Sequence, residues 1–522
     1  MEQEEPIIRL LPRRKKGVLR LVFSRVFLLI LLVITEIILL ELGIAYFVEV
    51  NPVMLLIQTL FTISMIFYLI NSQMESSAKL TWLWIIMLFP YIGTVFLWAT
   101  QFDLGQRALK KRISALNAES KSMLKQDPTV LSTPELVHSG TDDLCRYLNR
   151  TGCFPLYART QVTYLASGEE KFHALIAELK NAKSFIYLEY FILDEGYMWG
   201  RILAILAEKV QQGVDVRVMY DGMCEISSLS FDYPERMQTL GIPCKAFTKI
   251  KPFLSTNYNY RDHRKIAIID GTVAFNGGVN LADEYINRRE RFGHWKDAAV
   301  MLRGDAVRSF TLMFMQMWNI TEPVTDWKPV SCSVPEFPPA EGYVMPFADH
   351  PLDDEKVGES VYTDILNRAN SYVHIMTPYL ILDGELTSAI RFAAERGVDV
   401  KLILPGIPDK KTAFALAKSH YRELTEAGVK IYEYTPGFVH SKVCVSDDCK
   451  AVVGTINFDY RSLYHHFECA TYLYQCPCIA DIEADIRETL TKCKAVTAET
   501  IKAEKLGYKL LGGFLKIFAP LM

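Results

Sequence analysis

The chain contains no Cys-x-x-Cys pair among its 11 cysteines. Its one close couple, Cys476-Pro-Cys478, is too tight to frame a zinc site by itself. Odd-numbered, scattered thiols suit a reducing, cytosolic compartment. A charge imbalance is also lacking, since the net charge is −3. That argues against a basic groove with interleaved aromatics, and so against a nucleic-acid partner. The first apolar run lacks a small-residue cleavage site, which excludes a removable signal peptide. The sum of charge hides its distribution. Basic residues crowd Arg9, Arg13, Arg14, Lys15, Lys16, Arg20 and Arg25, then return at Arg107, Lys110, Lys111 and Arg112.

A chain of 522 residues has room for two or three domains. Its hydrophobic excess is concentrated in residues 1–103, which read as a membrane anchor. Apolar runs at 26–46, 54–70 and 80–100 each approach the roughly 20 residues that a spanning helix needs. Glu36 and Glu41 in the first run are costly in hydrocarbon unless paired or near the interface. The positive-inside rule places both basic clusters in the cytoplasm, which requires an even number of crossings. Pro90 and Gly93 break the third run and suit a hairpin that dips and returns. The expectation is a multi-pass cell-membrane protein with two crossings and a cytoplasmic catalytic part. After the anchor come a polar, lysine-rich linker with a short helix at 104–143, a domain at 144–323, a proline-bearing linker at 324–346 and a second domain at 347–500. The tail at 501–522 interleaves Lys502, Lys505, Lys509 and Lys516 with leucine and phenylalanine. It reads either as a helix on an anionic membrane surface or as one packed on the catalytic part.

One pattern, H-x-K-x4-D-x6-G-[GT]-x-N, occurs twice. The first copy is His263, Lys265, Asp270, Gly277, Gly278 and Asn280; the second is His440, Lys442, Asp447, Gly454, Thr455 and Asn457. Two copies with the same glycine and asparagine offsets mark a duplicated active site. The surroundings repeat as well. Strand, helix, strand, helix, strand recurs in both halves, the order of an α/β fold with helices covering a largely buried sheet. On a strand the period of two sends His263 and Lys265 to one face and Arg264 to the other. The glycines allow backbone to approach another group closely. Tyr258, Tyr260 and Tyr285 read as fold-filling residues or as the wall of a lipid cleft.

Two histidines, two lysines and two asparagines converging from two half-sites suit a phosphodiester. The lysines and Asn280 and Asn457 would hold the equatorial oxygens as charge gathers there, with no metal required. One neutral imidazole can attack phosphorus to form a phosphohistidine, while an imidazolium protonates the departing alkoxide. Water or a second alcohol then captures the intermediate. Asp270 and Asp447 stand at probable turns, where aspartate commonly bonds local backbone, so a structural or orienting role is open for them beside a catalytic one.

The duplicated motif resembles the phospholipase D superfamily, and the surrounding text resembles its bacterial cardiolipin synthases. The likeness runs through LFPYIG, NYRDHRKIAIIDG, FNGGVNLADEYI, TPYLILDGELTSAI, YEYTPGFVHSKVCVSD and VGTINFDYRSL. It implies two α/β/α repeats facing each other in a pseudo-twofold arrangement. The implied reaction takes two phosphatidylglycerol molecules to cardiolipin and glycerol without a cofactor, with His263 as nucleophile and His440 as general acid. It also implies that Asp297 and Glu468 stand behind the histidines and orient them. Ala298 and Ala299 depart from the polar pair expected after Asp297. A hydrolase of the same superfamily shares this chemistry. A nuclease would be a soluble, basic chain.

Overall fold

The computed structural model describes residues 6–11, 35, 38–47, 51–101, 104–248, 260–332 and 335–521. It separates into two compact units, one of residues 12–108, 254–256 and 514–522, the other of 1–11, 109–253 and 257–513.

In the smaller unit, Asn51 caps the helix Pro52–Asn71, its side chain accepting the Val53 N–H at 3.1 Å. Among the described residues this 20-residue helix alone is long and apolar enough to cross a membrane. The run at 80–100 is divided between the helices Ser76–Leu88 and Ile92–Gln101. A Cβ on Gly93 would lie 3.0 Å from the Ile85 carbonyl oxygen, so glycine lets the second helix fold back on the first. The hairpin expected at Pro90 and Gly93 is present. The Glu41 carboxylate accepts the Ile92 N–H at 3.0 Å and so is paired. Of the first run, residues 26–34 and 36–37, including Glu36, lie outside the described residues, as do Tyr258 and most of the basic N-terminus. The described part, Ile38–Phe47, is too short to span. The expected two crossings therefore reduce, among the described residues, to one helix of sufficient length.

The larger unit holds two sheets of one topology. The first contains β1 Thr160–Leu165, β2 Phe185–Tyr190, β3 Asp215–Asp221, β4 Cys244–Phe247, β5 Lys265–Ile269, β6 Val273–Gly277 and β7 Ala299–Gly304. Its spatial order is β1-β7-β6-β5-β2-β3-β4. The second contains β8 Tyr343–Asp349, β9 Tyr372–Met376, β10 Asp399–Pro405, β11 Lys430–Tyr434, β12 Val443–Ser446, β13 Lys450–Gly454, β14 His466–Tyr474 and β15 Cys493–Ala495. Its order, β8-β14-β13-β12-β9-β10-β11-β15, repeats the first and adds one strand. In both, the second, third and fourth strands run parallel and the remaining pairs antiparallel.

Strands β2 and β5 are buried on both faces, hence their continuous apolar character. Phe185, Tyr187, Ile266 and Ile268 join a core that also contains Val344, Val373, Val443 and Val452 of the second half. The alternating residues Ile186, Leu188, Ala267 and Ile269 pack outward on helix residues such as Trp199 and Ile202. The helix Val307–Trp318 is almost wholly buried in the shared core. The segment expected as a polar linker is instead largely helical. Ile113 in the helix Leu104–Ser120, Leu124 in the turn after it and Leu136 in the helix Pro134–Ser139 are buried against the same core.

Asp270 and Asp447 end β5 and β12 in left-handed turns, with φ of 53° and 52°. The Asp270 carboxylate accepts N–H groups of Lys183, Ser184 and Phe185 at 2.8, 2.7 and 3.0 Å. Asp447 accepts those of Asn370, Ser371 and Tyr372 at 2.8, 2.9 and 2.9 Å. Each clamps the entry of a neighbouring strand, at the end of its own strand about 16 Å from the motif lysine. Of the two roles left open for these aspartates, this placement favours the structural one, since each carboxylate accepts three backbone N–H groups at the far end of its strand. Asp270→Ala and Asp447→Ala should each cost about 2 kcal/mol of stability, with turnover of the folded fraction within about twofold of wild type. Urea denaturation and activity assays check this; a wild-type midpoint with abolished turnover would return the residue to the chemistry.

Candidate active site

Each motif histidine follows a short strand that pairs with the opposite half. Arg261–Asp262 pairs in parallel with the start of β14, placing Arg261 opposite His466 and Asp262 opposite Phe467. Gly437–Val439 pairs in parallel with His294–Lys296, placing Phe438 opposite Trp295 and Val439 opposite Lys296. The His263 N–H then donates to the Phe467 carbonyl at 2.9 Å, and the His440 N–H to that of Lys296 at 2.7 Å. In both ladders the next residue of the partner strand is a carboxylate.

That register crosses the two halves. His263 Nδ1 lies 2.8 and 3.0 Å from the Glu468 oxygens, and His440 Nδ1 lies 2.7 Å from Asp297 Oδ2. An ionised carboxylate can only accept, so each Nδ1 carries the proton and each Nε2 presents its lone pair. Glu468 is further held by the Thr455 hydroxyl, and Asp297 by the Ala298 N–H at 2.8 Å. A Cβ on Gly278 would lie 2.1 Å from Asp297 Oδ1 and 2.9 Å from the His440 carbonyl oxygen, so the motif glycine is what lets the two halves meet here.

The remaining motif residues gather around these pairs. Lys265 donates to the carbonyl of His263, and Lys442 to that of His440. The Lys442 ammonium also stands 3.0 Å from His440 Nδ1. Arg264 points away as the strand period requires, donating to the Glu468 carbonyl at 3.2 Å. Asn280 accepts the Ile192 N–H at 2.9 Å and donates to the Tyr285 hydroxyl at 2.8 Å. Asn457 donates to Asp459 at 3.0 Å while its side-chain oxygen has no hydrogen-bond partner. Aromatic rings wall both imidazoles. Phe191 meets His263 edge-on at 4.8 Å, and Tyr285 meets His440 edge-on at 5.3 Å. Tyr285 thus belongs to the site, whereas Tyr260 packs against the core. Thr455, Tyr285, Trp295 and His466 escape a reading of spacing alone. Thr455, as a motif position, Tyr285, as a candidate cleft wall, and His466, in HHFE, left a trace in the sequence.

Burial dominates the electrostatics. It pushes the His263 imidazole well below its ordinary pKa, although Glu468 opposes it. It pushes His440 down to about 4, reinforced by Lys442 and opposed by Asp297. Burial also lowers Lys265 to about 8 and Lys442 to about 7. For the carboxylates burial works upward but loses. His263 and His466 hold Glu468 well below the usual range, and His440 and Lys442 hold Asp297 below it. The protein's own groups therefore pair two ionised carboxylates with two neutral imidazoles whose Nε2 atoms are nucleophiles or bases.

Two clusters among the described residues bring three possible ligand side chains together, Glu359 with Asp383 and Glu385, and His263 with His466 and Glu468. In the first, the Tyr464 hydroxyl donates to Asp383 and lies 3.1 Å from Glu359, and Lys356 donates to Glu385 at 3.1 Å. In the second, both Glu468 oxygens lie at hydrogen-bond distance from His263. Both read as hydrogen-bonded groups.

Glu468→Gln removes the charge that a phosphorylated, cationic His263 ring would need and should lower kcat by about a thousandfold in steady-state assays, with the fold retained. The lysines predict an alkaline limb. A lysine holds phosphate only while protonated, so kcat/KM should fall as pH rises through about 7 to 8, where Lys442 and then Lys265 lose their protons. A profile flat from about pH 6 to pH 9 would contradict it.

Comparison with known proteins agrees with this geometry. A family profile described as "Cardiolipin synthase, PLD-like domain" matches residues 175–318 and 362–490. An uncharacterised protein of Streptococcus mutans is 56% identical over 460 residues, covering 88% of this chain and all of that one. A cardiolipin synthase of Alkalihalophilus pseudofirmus is 32% identical over 89% of this chain and 94% of its own length. One from a Geobacillus strain is 33% identical over 85% and 88%. The phosphatidylserine synthase structure from Haemophilus influenzae superposes with a TM-score of 0.55 at 17% identity, covering 73% of this chain and 98% of that one, a likeness of fold. With both halves of the duplicated site inside the matched regions, the chain belongs to the cardiolipin synthase family of phospholipase D-like proteins.

Proposed function

We propose that the chain is a cardiolipin synthase that joins two phosphatidylglycerol molecules through a phosphohistidine. The crossed imidazole–carboxylate pairs carry this reading, because they present two free Nε2 atoms beside two cationic side chains. His263 Nε2 attacks the phosphorus of the first phosphatidylglycerol, forming an N–P bond as the P–O bond to the glycerol headgroup breaks. His440, protonated once the anionic phosphodiester has entered, gives its Nε2 proton to that departing oxygen, and glycerol leaves. Neutral His440 then takes the proton from a hydroxyl of the second phosphatidylglycerol. That oxygen attacks phosphorus, the N–P bond breaks, and cardiolipin departs with His263 restored. Lys265, Lys442, Asn280 and Asn457 would stabilise the oxygens as charge develops on them.

The same residues could hand the intermediate to water, and product identity separates the two outcomes. Purified protein in micelles with labelled phosphatidylglycerol should yield labelled cardiolipin and free glycerol, unaffected by EDTA. His263→Ala and His440→Ala should each abolish turnover. Phosphatidic acid as the sole product would establish a hydrolase instead. Label trapped covalently in His440→Ala and absent from His263→Ala would identify His263 as the attacking ring.

We also infer membrane attachment through the helix Pro52–Asn71. The C-terminal helix Leu506–Lys516 supports a second contact with anionic lipid, since it exposes Leu506 (69%), Leu510 (65%) and Phe514 (59%) among lysines. The protein should stay with the membrane pellet after an alkaline carbonate wash. Recovery in the supernatant would exclude a spanning helix.

A further inference from the structure

The two half-sites differ at one equivalent position. His466 and Trp295 each stand two residues before the carboxylate, and each faces the second residue before the motif histidine in its ladder. His466 lies against His263 with ring centroids 5.0 Å apart, and Trp295 against His440 at 5.5 Å. Both are buried, and the Trp295 indole nitrogen has no hydrogen-bond partner. Chemically they are unlike. His466 Nδ1 is 3.5 Å from the Glu468 oxygen that also receives His263. Asp297 serves His440 alone among imidazoles. We propose that His466 and Trp295 are positioning residues whose mismatch breaks the pseudo-twofold symmetry and assigns the nucleophile to His263 and the general acid to His440.

One carboxylate stabilises one added proton well, not two. With two imidazoles beside Glu468, positive charge on either ring is disfavoured by the other, and Glu468 supports an imidazolium on His263 less than Asp297 supports one on His440, so His263 stays a nucleophile. The other charged groups acting here are Lys265 on His263, and Arg461 and Asp459 on His466. Arg261, the ladder partner of His466, turns its guanidinium to Asp221 at 3.5 Å. At the second half-site Lys442 and Lys265 oppose protonation of His440 and Asp297 favours it. The indole beside that ring adds a π-system that attracts a cation and has no proton of its own to exchange, so Trp295 favours the imidazolium an acid requires. Burial pushes the His466 imidazole below its ordinary pKa, with Glu468 opposing.

This inference rests on the phosphohistidine reading above. The test compares full-length wild type, H466W/W295H and H466Q in micelles with phosphatidylglycerol labelled in its phosphate. Reactions are quenched in alkali, where an N–P bond survives, and the labelled histidine is mapped by mass spectrometry. Wild type should carry the label on His263, and the double exchange should lower the His263 to His440 ratio by at least about tenfold. A double exchange that turns over with an unchanged ratio overturns the proposal. If it does not fold, H466Q decides, since glutamine keeps a hydrogen-bonding group but cannot take the proton. The acidic limb of kcat/KM should then move up by about half a pH unit, whereas a purely structural role would leave it in place. An unmoved limb in folded, active H466Q overturns the proposal. Label on neither histidine in wild type would instead sink the phosphohistidine reading.

Discussion

Each imidazole in this protein is oriented by a carboxylate of the other half. Glu468 and Asp297 are fully buried, and each reaches its histidine across a parallel ladder only two or three residues long. Neither half can assemble a working site alone. Separated, each would hold a desolvated carboxylate with no imidazole and an imidazole with no anchor, an arrangement that buried charge does not tolerate. The shared hydrophobic core, with Ile266 and Val452 in one cluster, brings the ladders into register. The glycine at 278 removes the Cβ that would separate them. Sheet topology, glycine position and chemistry thus depend on one exchange of hydrogen bonds.

The exchange also sets the charge balance around the two imidazoles. Four cationic or potentially cationic side chains stand in low dielectric with two carboxylates, and burial has already pushed both lysines toward neutrality. A phosphodiester arriving between them supplies the missing negative charge. Its entry favours protonation of both lysines and of one imidazole, so substrate binding itself prepares the acid. Further charge on phosphorus oxygens in the transition state strengthens the same interactions, which raises rate rather than affinity alone. No group needs to move far, because Nδ1 of each ring is already fixed.

Much of this was legible in the sequence, for stated reasons. Spacing in H-x-K sends His263 and Lys265 to one strand face, and the repeated strand-helix order reappears as one strand order in both sheets. The resemblance pointed to Asp297 and Glu468 as orienting carboxylates, but which histidine each serves was not legible. His263 and Glu468 are 205 residues apart, and His440 and Asp297 143 apart. Spacing within a motif says nothing about which half a distant carboxylate will serve. Asp270 was ambiguous for another reason, since an aspartate that closes a turn and one that does chemistry leave the same letter. The linker misled because its lysines masked the buried Ile113, Leu124 and Leu136. His466 was visible as half of a doubled histidine, yet only its ladder position, opposite Arg261 and equivalent to Trp295, gives that doubling a meaning.

Under the proposed reaction, the choice between alcohol and water follows from where the acceptor comes from. Both imidazoles are nearly closed off, His263 at 6% and His440 at 8% exposure, and are walled by Phe191, Tyr285 and Trp295. A phosphohistidine formed there would meet little bulk water. The second phosphatidylglycerol carries its hydroxyl on a headgroup already confined to the membrane plane, so its local concentration beside a membrane-attached enzyme far exceeds that in solution. Confinement of the acceptor and exclusion of the solvent therefore act in the same direction, and transfer needs no residue dedicated to rejecting water. The aromatic wall does that by volume, while the crossed carboxylates fix the orientation of both rings.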